Sequence, residues 1–255
     1  MKIVTAIDSF KGSMTSMEAG LAVTEGIHRV DSDVDVQIRP LADGGEGTVD
    51  ALVAGMNGMK QEIQVTGPLG TPVVCEYGII ESSKTAVIEM AGAAPSMIMQ
   101  MDKWLAYYAA LAKEKFPKAN AKQAGTGAAG GLGFAFLTFT NAVLESGIKI
   151  VLEETQLEEY IKDADLVVTG EGRLDRQTAM GKAPIGVAKL AKKYGKTVIA
   201  FAGSVERDAR ECNEHGIDAF FPVLRGITTL EEAMKNENAK RNLADTAEQV
   251  YRLWR

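Results

Sequence analysis

The sequence predicts an α/β fold, a doubly wound parallel sheet of the Rossmann or flavodoxin type interrupted by a smaller mixed α/β insert domain. Short apolar, β-branched runs alternate with helical patterns at both ends of the chain. Between them the runs alternate apolar and polar residues and are separated by short turns, which is typical of hairpins. We therefore expect a discontinuous domain of residues 1–58 and 163–255, with residues 59–162 inserted into it.

The first half of the discontinuous domain has the pattern of a βαβα unit. Lys2–Ile7 is apolar and β-branched and predicts a buried strand. Thr15 and Glu18 have capping-box spacing, which predicts a helix that runs to about Val30. Residues 34–38 then alternate as a second strand, and a glycine-rich loop leads into a helix that ends near Met56. Such a unit implies parallel strands and a right-handed crossover.

The insert has a different pattern. Residues 60–66, 72–80 and 84–90 are short, partly alternating runs that predict hairpins. Residues 102–116 predict a helix, and a glycine-rich run leads into an apolar helix that ends near Phe139.

The βα alternation resumes at Leu166. Leu166–Thr169 predicts a buried strand that ends at a turn, Gly170-Glu171-Gly172. Pro184 stands where the first turn of the next helix begins. The remaining predicted elements are a helix over 183–194, a strand over 197–202, a helix over 207–215, a strand over 219–223 and one long helix over 230–253.

Composition excludes several classes of protein. The chain has 255 residues, a net charge of −6 and 46% hydrophobic residues, which argues against a general nucleic-acid binder. Its apolar runs are shorter than the ~20 residues that span a bilayer, so we expect no membrane insertion. The start passes directly into a strand without the pattern of a signal peptide, and a cytoplasmic location is the expectation.

Three loops that follow predicted strands combine carboxylates, glycine and Lys or Ser. They are residues 8–13, 43–48 and 170–182. Because the carboxyl ends of parallel strands lie at one edge of a sheet, the three loops can converge there. Phosphoryl transfer needs such a set: carboxylates for Mg²⁺, N–H groups and cations for phosphate oxygens, and one carboxylate as base. For any single loop, helix capping and turn formation are the simpler explanation of the same residues, but they do not explain why all three loops share this pattern.

Two glycine motifs are weaker signals. Gly125-x-Gly127-x-x-Gly130 matches a dinucleotide fingerprint, but residues 116–124 are polar and proline-broken and predict no strand before it. Small residues that let a helix pack closely are the simpler interpretation. Gly181-Lys182-Ala183 lacks the upstream glycine and the Ser or Thr of a P-loop.

Several strings, taken in chain order, resemble the type I bacterial glycerate kinases. They are residues 7–13 (IDSFKGS), 41–48 (LADGGEGT), 65–70 (VTGPLG), 86–91 (AVIEMA), 127–133 (GAAGGLG), 169–175 (TGEGRLD), 181–184 (GKAP) and 199–204 (IAFAGS). The resemblance implies ATP-dependent phosphorylation of glycerate, with Mg²⁺, by a Rossmann-like domain carrying an inserted mixed α/β domain. It implies glycerate and ATP as the binding partners of a monomer or homodimer.

The expected site residues come from the three loops. The catalytic candidates are Asp8, Lys11, Asp43 and Asp175. The candidates for substrate or phosphate binding are Ser9, Gly44, Gly45, Gly170, Gly172, Arg173 and Lys182. The candidate metal ligands are Asp43, Glu46 and Glu171. Arg173 is suited to pair the carboxylate of glycerate bidentately.

The sequence also departs from the family it resembles. After their Ile-Glu-Met-Ala strand, such kinases continue with glycine-rich segments that have no counterpart here. The chain passes directly to the helix that starts near Asp102, so the insert domain is shortened and the gap falls near the methionines at 97–101. Two other classes stay open: a remnant that binds a small anion or a partner without catalysis, and a nicotinamide-dependent oxidoreductase that uses Gly125–Gly130.

Overall fold

The computed structural model describes residues 1–45, 47–66, 72–89 and 98–255. Two β-sheets are present in these residues, a parallel sheet of five strands and a smaller sheet of three. The predicted fold class is confirmed. The chain divides into two compact units: residues 1–60, 78–87 and 147–255 form the first, and residues 61–77 and 88–146 form the second.

The large sheet has the strand order β2-β1-β6-β7-β8, and all four neighbouring pairs are parallel. Its strands are β1 (Lys2–Ile7), β2 (Asp35–Ile38), β6 (Leu166–Leu174), β7 (Thr197–Val205) and β8 (Ala219–Pro222). The chain moves outward from β1 to β2, then crosses to the other side of β1 and continues through β6, β7 and β8. This is the flavodoxin order of a doubly wound sheet, and the strand order reverses between β1 and β6.

Helices cover both faces of this sheet. The helices of the first unit are α1 (Ser16–His28), α2 (Thr48–Met56), α5 (Gly147–Glu154), α6 (Leu157–Ile161), α7 (Arg176–Ala179), α8 (Ala183–Lys193), α9 (Glu211–Glu214), α10 (Leu230–Met234) and α11 (Asn236–Trp254). One buried cluster joins one face of the sheet to α8, α5 and α6. A second cluster joins the other face to α1 and α11. The two cores hold the sheet rigidly between two helical layers.

The predicted start of α1 is confirmed. Thr15 accepts a hydrogen bond from the N–H of Glu18, and the Glu18 carboxylate accepts one from the N–H of Thr15, which completes a capping box. Helices α5 and α6 were not predicted, because their polar and apolar residues were assigned to the insert. The structure places both in the first unit.

The predicted end of β6 was wrong. The strand does not stop at Thr169 but continues to Leu174, paired with β7 along its length. Gly170 permits this, because a Cβ atom there would lie 2.1 Å from the carbonyl oxygen of Phe201. The expected Gly-Glu-Gly turn is therefore strand, and β6 and β7 extend beyond the last residue of β1.

Two helices that were predicted as continuous are each two separate elements in the structure. The helix predicted over 207–215 is a 3₁₀ turn, Arg207–Arg210, followed by α9. The helix predicted over 230–253 is broken at Lys235, whose ψ of 126° is extended. The side chain of Asn238 donates to the carbonyl of Glu232 at 2.9 Å, which satisfies an acceptor at the end of α10.

The smaller sheet has the order β3-β4-β5, from strands β3 (Met59–Thr66), β4 (Pro72–Ile80) and β5 (Thr85–Ile88). A 3₁₀ turn, Glu81–Ser83, separates β4 from β5.

The second unit includes α3 (Ile98–Lys115) and α4 (Ala128–Phe139). Among the described residues of this unit the apolar core is small, and Ala112, Ala119 and Phe134 are its buried members. Tyr108 packs edge-on against Phe134, and Phe116 packs edge-on against Phe139.

Among the residues described, no helix has both the length and the apolar character needed to cross a membrane.

Candidate active site

A cavity of about 340 Å³ lies in the first unit at the carboxyl ends of the parallel strands. It is next to the point where the strand order reverses, the position at which doubly wound sheets bind ligands. The polar side chains that line it belong to Asp8, Ser9, Lys11, Ser13, Asp43, Glu171, Arg173, Asp175, Lys182, Ser204 and Asn242. The three loops that the sequence singled out therefore meet at one cavity.

Asp8 is the first residue after β1 and is only 4% exposed. Its backbone N–H donates to the carbonyl of Gly170, and its Oδ1 accepts from the N–H of Ser9 at 2.7 Å. Burial raises the pKa of Asp8 to about 7, and the negative charges of Asp43 and Glu171 add to the effect. A carboxyl group with such a pKa can exchange a proton near neutral pH.

Glu171 lies in the part of β6 that extends past β1, and it is buried. The hydroxyl of Thr178 donates to its Oε1, and the ammonium of Lys182 lies 4.0 Å from its Oε2. Burial raises the pKa of Glu171, although the bond from Thr178 and the charge of Lys182 oppose the change. Both oxygens of the Glu171 carboxylate have a partner in the protein, so this carboxylate is placed to orient Lys182.

Asp175 caps the short helix α7. Its Oδ1 accepts from the N–H groups of Gln177 and Thr178, at 2.8 and 3.2 Å. Its Oδ2 lies 3.6 Å from Nε of Arg173 and is left without a hydrogen bond to the helix. Helix capping, the simpler interpretation of this residue, accounts for one oxygen, while the side chain still lines the cavity.

Arg173 is held between two carboxylates. Its Nη2 lies 3.1 Å from Oε1 of Glu206, and its Nε faces Asp175. The side chain is 61% exposed, and its Nη1 takes part in neither ion pair. The guanidinium is thus oriented at the cavity and keeps donors for a ligand.

Asp43 is half-buried, and its Oδ1 accepts from the N–H of Gly45 at 3.0 Å. Gly45 and Gly44 do not line the cavity in the part of the chain that the structure describes. Gly44 has a φ of +94°, and a Cβ atom there would lie 2.9 Å from Cα of Gly147, so backbone packing explains this glycine. Glu46 lies outside the described residues.

The remaining predicted site residues also separate into those that line the cavity and those that do not. Ser9, Lys11 and Gly172 line the cavity. Gly170 does not, and its role is the close pairing of β6 with β7. Lys11 is exposed and makes no ion pair within the described residues.

No group of three or more His, Cys, Asp or Glu side chains in the described residues is arranged to hold a metal ion. Of the Asp43 carboxylate, Oδ1 accepts from Gly45, and of the Asp175 carboxylate, Oδ2 faces only the guanidinium of Arg173 among the described residues.

Sequence reasoning missed Thr178 and Glu206. Thr178 completes a capping box with Asp175, and the Asp-x-x-Thr spacing is a signal that could have found it. Glu206 follows the end of β7 and only the extension of β6 brings Arg173 to it. The sequence offers no local signal for that pair.

The glycine motif at 125–130 lacks the structural context of a dinucleotide-binding loop. Residues 116–127 form turns, without the strand that a dinucleotide fingerprint requires. A Cβ atom at Gly133 would lie 2.3 Å from the carbonyl of Gly125, so small residues let α4 approach this turn.

Carboxylates and lysines gathered at the switch point of a doubly wound sheet define an α/β protein with a polar site for a small molecule. The sequence profile of the glycerate kinase family matches residues 3–94 and 91–255. The chain is 31% identical to the glycerate kinase of Haemophilus influenzae over 374 aligned positions, covering 99% of this chain and 98% of that protein. It is also 31% identical to the glycerate 2-kinase of Escherichia coli, covering 96% and 98%.

A solved structure agrees with these relatives. The crystal structure of a glycerate kinase 2 from Salmonella typhimurium LT2 superposes with a TM-score of 0.77 at 29% identity, covering 100% of this chain and 98% of that one. The chain belongs to the glycerate kinase family.

The comparisons also confirm the internal gap. The alignment with the Haemophilus protein has 374 positions and this chain has 255 residues, so about 120 positions of the alignment have no counterpart here. The two stretches that match the family profile meet at residues 91–94, slightly before the predicted gap. These residues lie outside the described part of the chain.

Proposed function

We propose that this chain transfers the terminal phosphoryl group of ATP to a hydroxyl of glycerate at the cavity beside Asp8. The observation that carries the proposal is the meeting of Asp8, Lys11, Asp43, Arg173 and Lys182 around one cavity in a member of the glycerate kinase family. Phosphoryl transfer depends on positioning and on charge stabilisation, and these residues can supply both.

Asp8 is the proposed general base. A base works best when its pKa is near the working pH, and burial raises the pKa of Asp8 to about 7. The bond from Ser9 fixes Oδ1, so Oδ2 is the oxygen available to accept the proton of the substrate hydroxyl. As that proton leaves, the hydroxyl oxygen becomes a nucleophile.

Lys11 and Lys182 are the proposed partners of phosphate oxygens. The side chain of Lys11 can extend toward a phosphate group, because it is exposed and has no ion-pair partner in the described residues. Lys182 is directed by Glu171, 4.0 Å away. Two cations reduce the repulsion between phosphate oxygens and an incoming alkoxide.

Arg173 is the proposed partner of the glycerate carboxylate. Glu206 and Asp175 orient its guanidinium, and a planar fork with free donors matches a carboxylate. Asp43 and Asp175 would hold Mg²⁺, whereas Glu171, also predicted as a ligand, has both oxygens occupied by Thr178 and Lys182. The predicted ligand Glu46 lies outside the described residues. When bound, the ion would neutralise charge that develops on the transferring group.

The test is a turnover assay with purified full-length chain, ATP, Mg²⁺ and glycerate, in which ³¹P NMR identifies phosphoglycerate and ADP. We expect equal amounts of both, and formation of neither in an Asp8→Asn variant. Hydrolysis of ATP without phosphoglycerate, at a rate independent of glycerate, would contradict the proposal.

A second candidate is binding without catalysis, and the missing alignment positions favour it, because glycine-rich segments of the insert are absent. In that case calorimetry would detect glycerate or a non-hydrolysable ATP analogue, while the turnover assay would give no product. The two outcomes are distinguished in one set of experiments.

A further inference from the structure

The cavity beside Asp8 has two chemically different halves. The carboxylates and lysines form one. The other is apolar and is formed by Phe10 together with residues of α10, α11 and the segment that follows β8. We propose that this apolar half binds the purine base of the nucleotide and that Asn242 reads the edge of that base. This inference rests on the proposed function, since it concerns the phosphoryl donor of the same site.

Glycerate alone does not account for the cavity. It is small and polar over its whole surface, whereas the cavity of about 340 Å³ continues from Asp8 to a wall of Val223, Leu224, Leu230 and Met234. Pockets of this size bind drug-sized molecules and use apolar walls for affinity. A flat aromatic base with a sugar is the part of a nucleotide that needs such walls.

The apolar half is lined by buried residues of the core and by exposed side chains of α10. Phe10 and Val223 are 4% and 3% exposed and belong to the core beneath the sheet edge. Leu230 and Met234 of α10 are 77% and 37% exposed. A planar ligand in this half would cover the exposed apolar side chains of α10, which stabilises binding.

Asn242 supplies the polar contact that base recognition needs. It is half-buried on α11, and its side chain faces both this cavity and an adjoining groove that contains Arg225 and Arg241. Within the described residues its amide makes no hydrogen bond. An amide group has a donor and an acceptor side by side, and it pairs with adenine through two hydrogen bonds.

The arrangement also gives the direction of the nucleotide. Lys11 and Lys182 stand with Asp8 and Asp43 in the polar half, while Asn242 and α10 are on the apolar side. With its base on the apolar side, a nucleotide would direct its phosphates toward the lysines and the proposed base. The hydroxyl acceptor would then meet the terminal phosphate next to Asp8.

The test uses the full chain and AMP-PNP, the ATP analogue with a nitrogen between its last two phosphates. Asn242→Leu removes the amide and keeps the size of the side chain, and we expect it to raise the Kd for AMP-PNP about tenfold or more. Ala233→Phe fills the apolar half and should abolish binding. Gln249→Leu, an exposed change on the same helix away from the cavity, should leave the Kd unchanged.

A second measurement uses the protein with its cavity unchanged, so that the inference can be tested even if a variant does not fold. With ¹³C-methyl methionine, the methyl resonance of Met234 should shift on addition of AMP-PNP because the ring current of the base acts on it. Met234→Leu assigns the resonance. Binding of AMP-PNP that leaves this resonance in place would overturn the inference.

Steady-state kinetics separate this inference from the proposed function. In Asn242→Leu the KM for ATP should rise while the KM for glycerate stays within about twofold, and the preference for ATP over GTP should fall. Turnover with unchanged preference in the variant would overturn the base site and leave the kinase function standing. Binding of AMP-PNP that depends on Asn242, in a chain without turnover, would support the base site and reject the function.

Discussion

At Asp8, burial and hydrogen bonding have opposite effects. Removal from water raises the pKa of this carboxyl group to about 7, and the single bond from the N–H of Ser9 only partly offsets the effect. The folded protein therefore binds a proton that the unfolded chain releases at its ordinary value of 3.8. This difference connects the proposed base to the stability of the whole domain.

The direction of this pKa shift gives the first prediction, which concerns the pH dependence of stability. The stabilising effect of a raised pKa is complete below about pH 4, falls between pH 4 and 7, and is absent above the folded value. We expect the carboxyl group of Asp8 to make the apoprotein roughly 2 to 4 kcal/mol less stable at pH 8 than at pH 4. Asp8→Asn should remove this contribution and be the more stable protein at pH 8.

Urea unfolding of both proteins between pH 4 and 8 measures the effect. Kinetics on the same samples should show a loss of at least about a hundredfold in kcat for Asp8→Asn. Parallel stability curves for the two proteins would show that Asp8 has an ordinary pKa in the folded state.

Thr178 provides the second prediction, because it connects two carboxylates of the site. Its hydroxyl donates to Glu171, and it accepts from the N–H of Asp175 at 3.2 Å. Thr178→Val keeps the shape and removes both bonds, which should cost about 1 to 3 kcal/mol in a buried position. Thr178→Ser keeps the hydroxyl and should recover most of that loss. Equal melting temperatures of the Val and Ser variants would exclude a role for these bonds.

At the scale of elements, the extension of β6 and β7 beyond β1 places Glu171 and Arg173 at the site. It depends on Gly170, where a side chain would collide with Phe201. We expect Gly170→Ala to destabilise the protein by at least about 3 kcal/mol, in the range of severe overpacking. Gly226→Ala is the matched control, since its Cβ atom meets open space and should change stability by less than about 1 kcal/mol. Chemical denaturation of the two variants makes the comparison.

Helix α3 gives a prediction about local stability. Its unit has a small buried core, and Trp104, Tyr107 and Leu111 of this helix are 64%, 67% and 44% exposed. Few buried apolar contacts mean that a segment opens at low free energy. Hydrogen exchange followed by mass spectrometry should therefore find the amides of 103–115 exchanging at least about a hundredfold faster than those of β7. Equal protection of the two segments would contradict this expectation.

The sequence predicted most elements because their signals are local. The capping box at Thr15 and the β-branched run of β1 specify their own conformations, and both were confirmed. The end of β6 and the break at Lys235 depend on partners far along the chain: the carbonyl of Phe201, and Ser13, whose carbonyl accepts from Asn236 at 2.8 Å. Tertiary contacts of this kind produce no periodic pattern of residues in the sequence.

The same distinction applies to the site. Strand-end reasoning was enough to bring Asp8, Asp43 and Asp175 to one cavity, because parallel strands share a carboxyl edge. It could not separate glycines that face a ligand from glycines that allow close backbone packing, such as Gly44 and Gly170. That difference lies in the neighbours of each glycine.

At the scale of the whole molecule, Asp43 and Asp175 come from distant parts of the chain and line one cavity. Asp43→Asn and Asp175→Asn should each remove most of kcat and weaken Mg²⁺ binding. Groups that act as one unit lose activity non-additively, so the double variant should be scarcely worse than either single one. Asparagine also caps helices, so α7 should persist and stability should change little. Near-normal turnover in either single variant would show that its loop is only a structural turn.

The position of β6 beside β1 has a consequence for folding during synthesis on the ribosome. β1 emerges long before its partner, because one of its edges pairs with a strand that begins at Leu166. At bacterial rates of about 5 to 20 residues per second, that edge stays open for roughly 10 to 30 seconds. An open, apolar strand edge can pair with another nascent chain. Relatives with about 120 further positions before this strand must keep the edge open for longer, and the shorter chain reduces this period of risk.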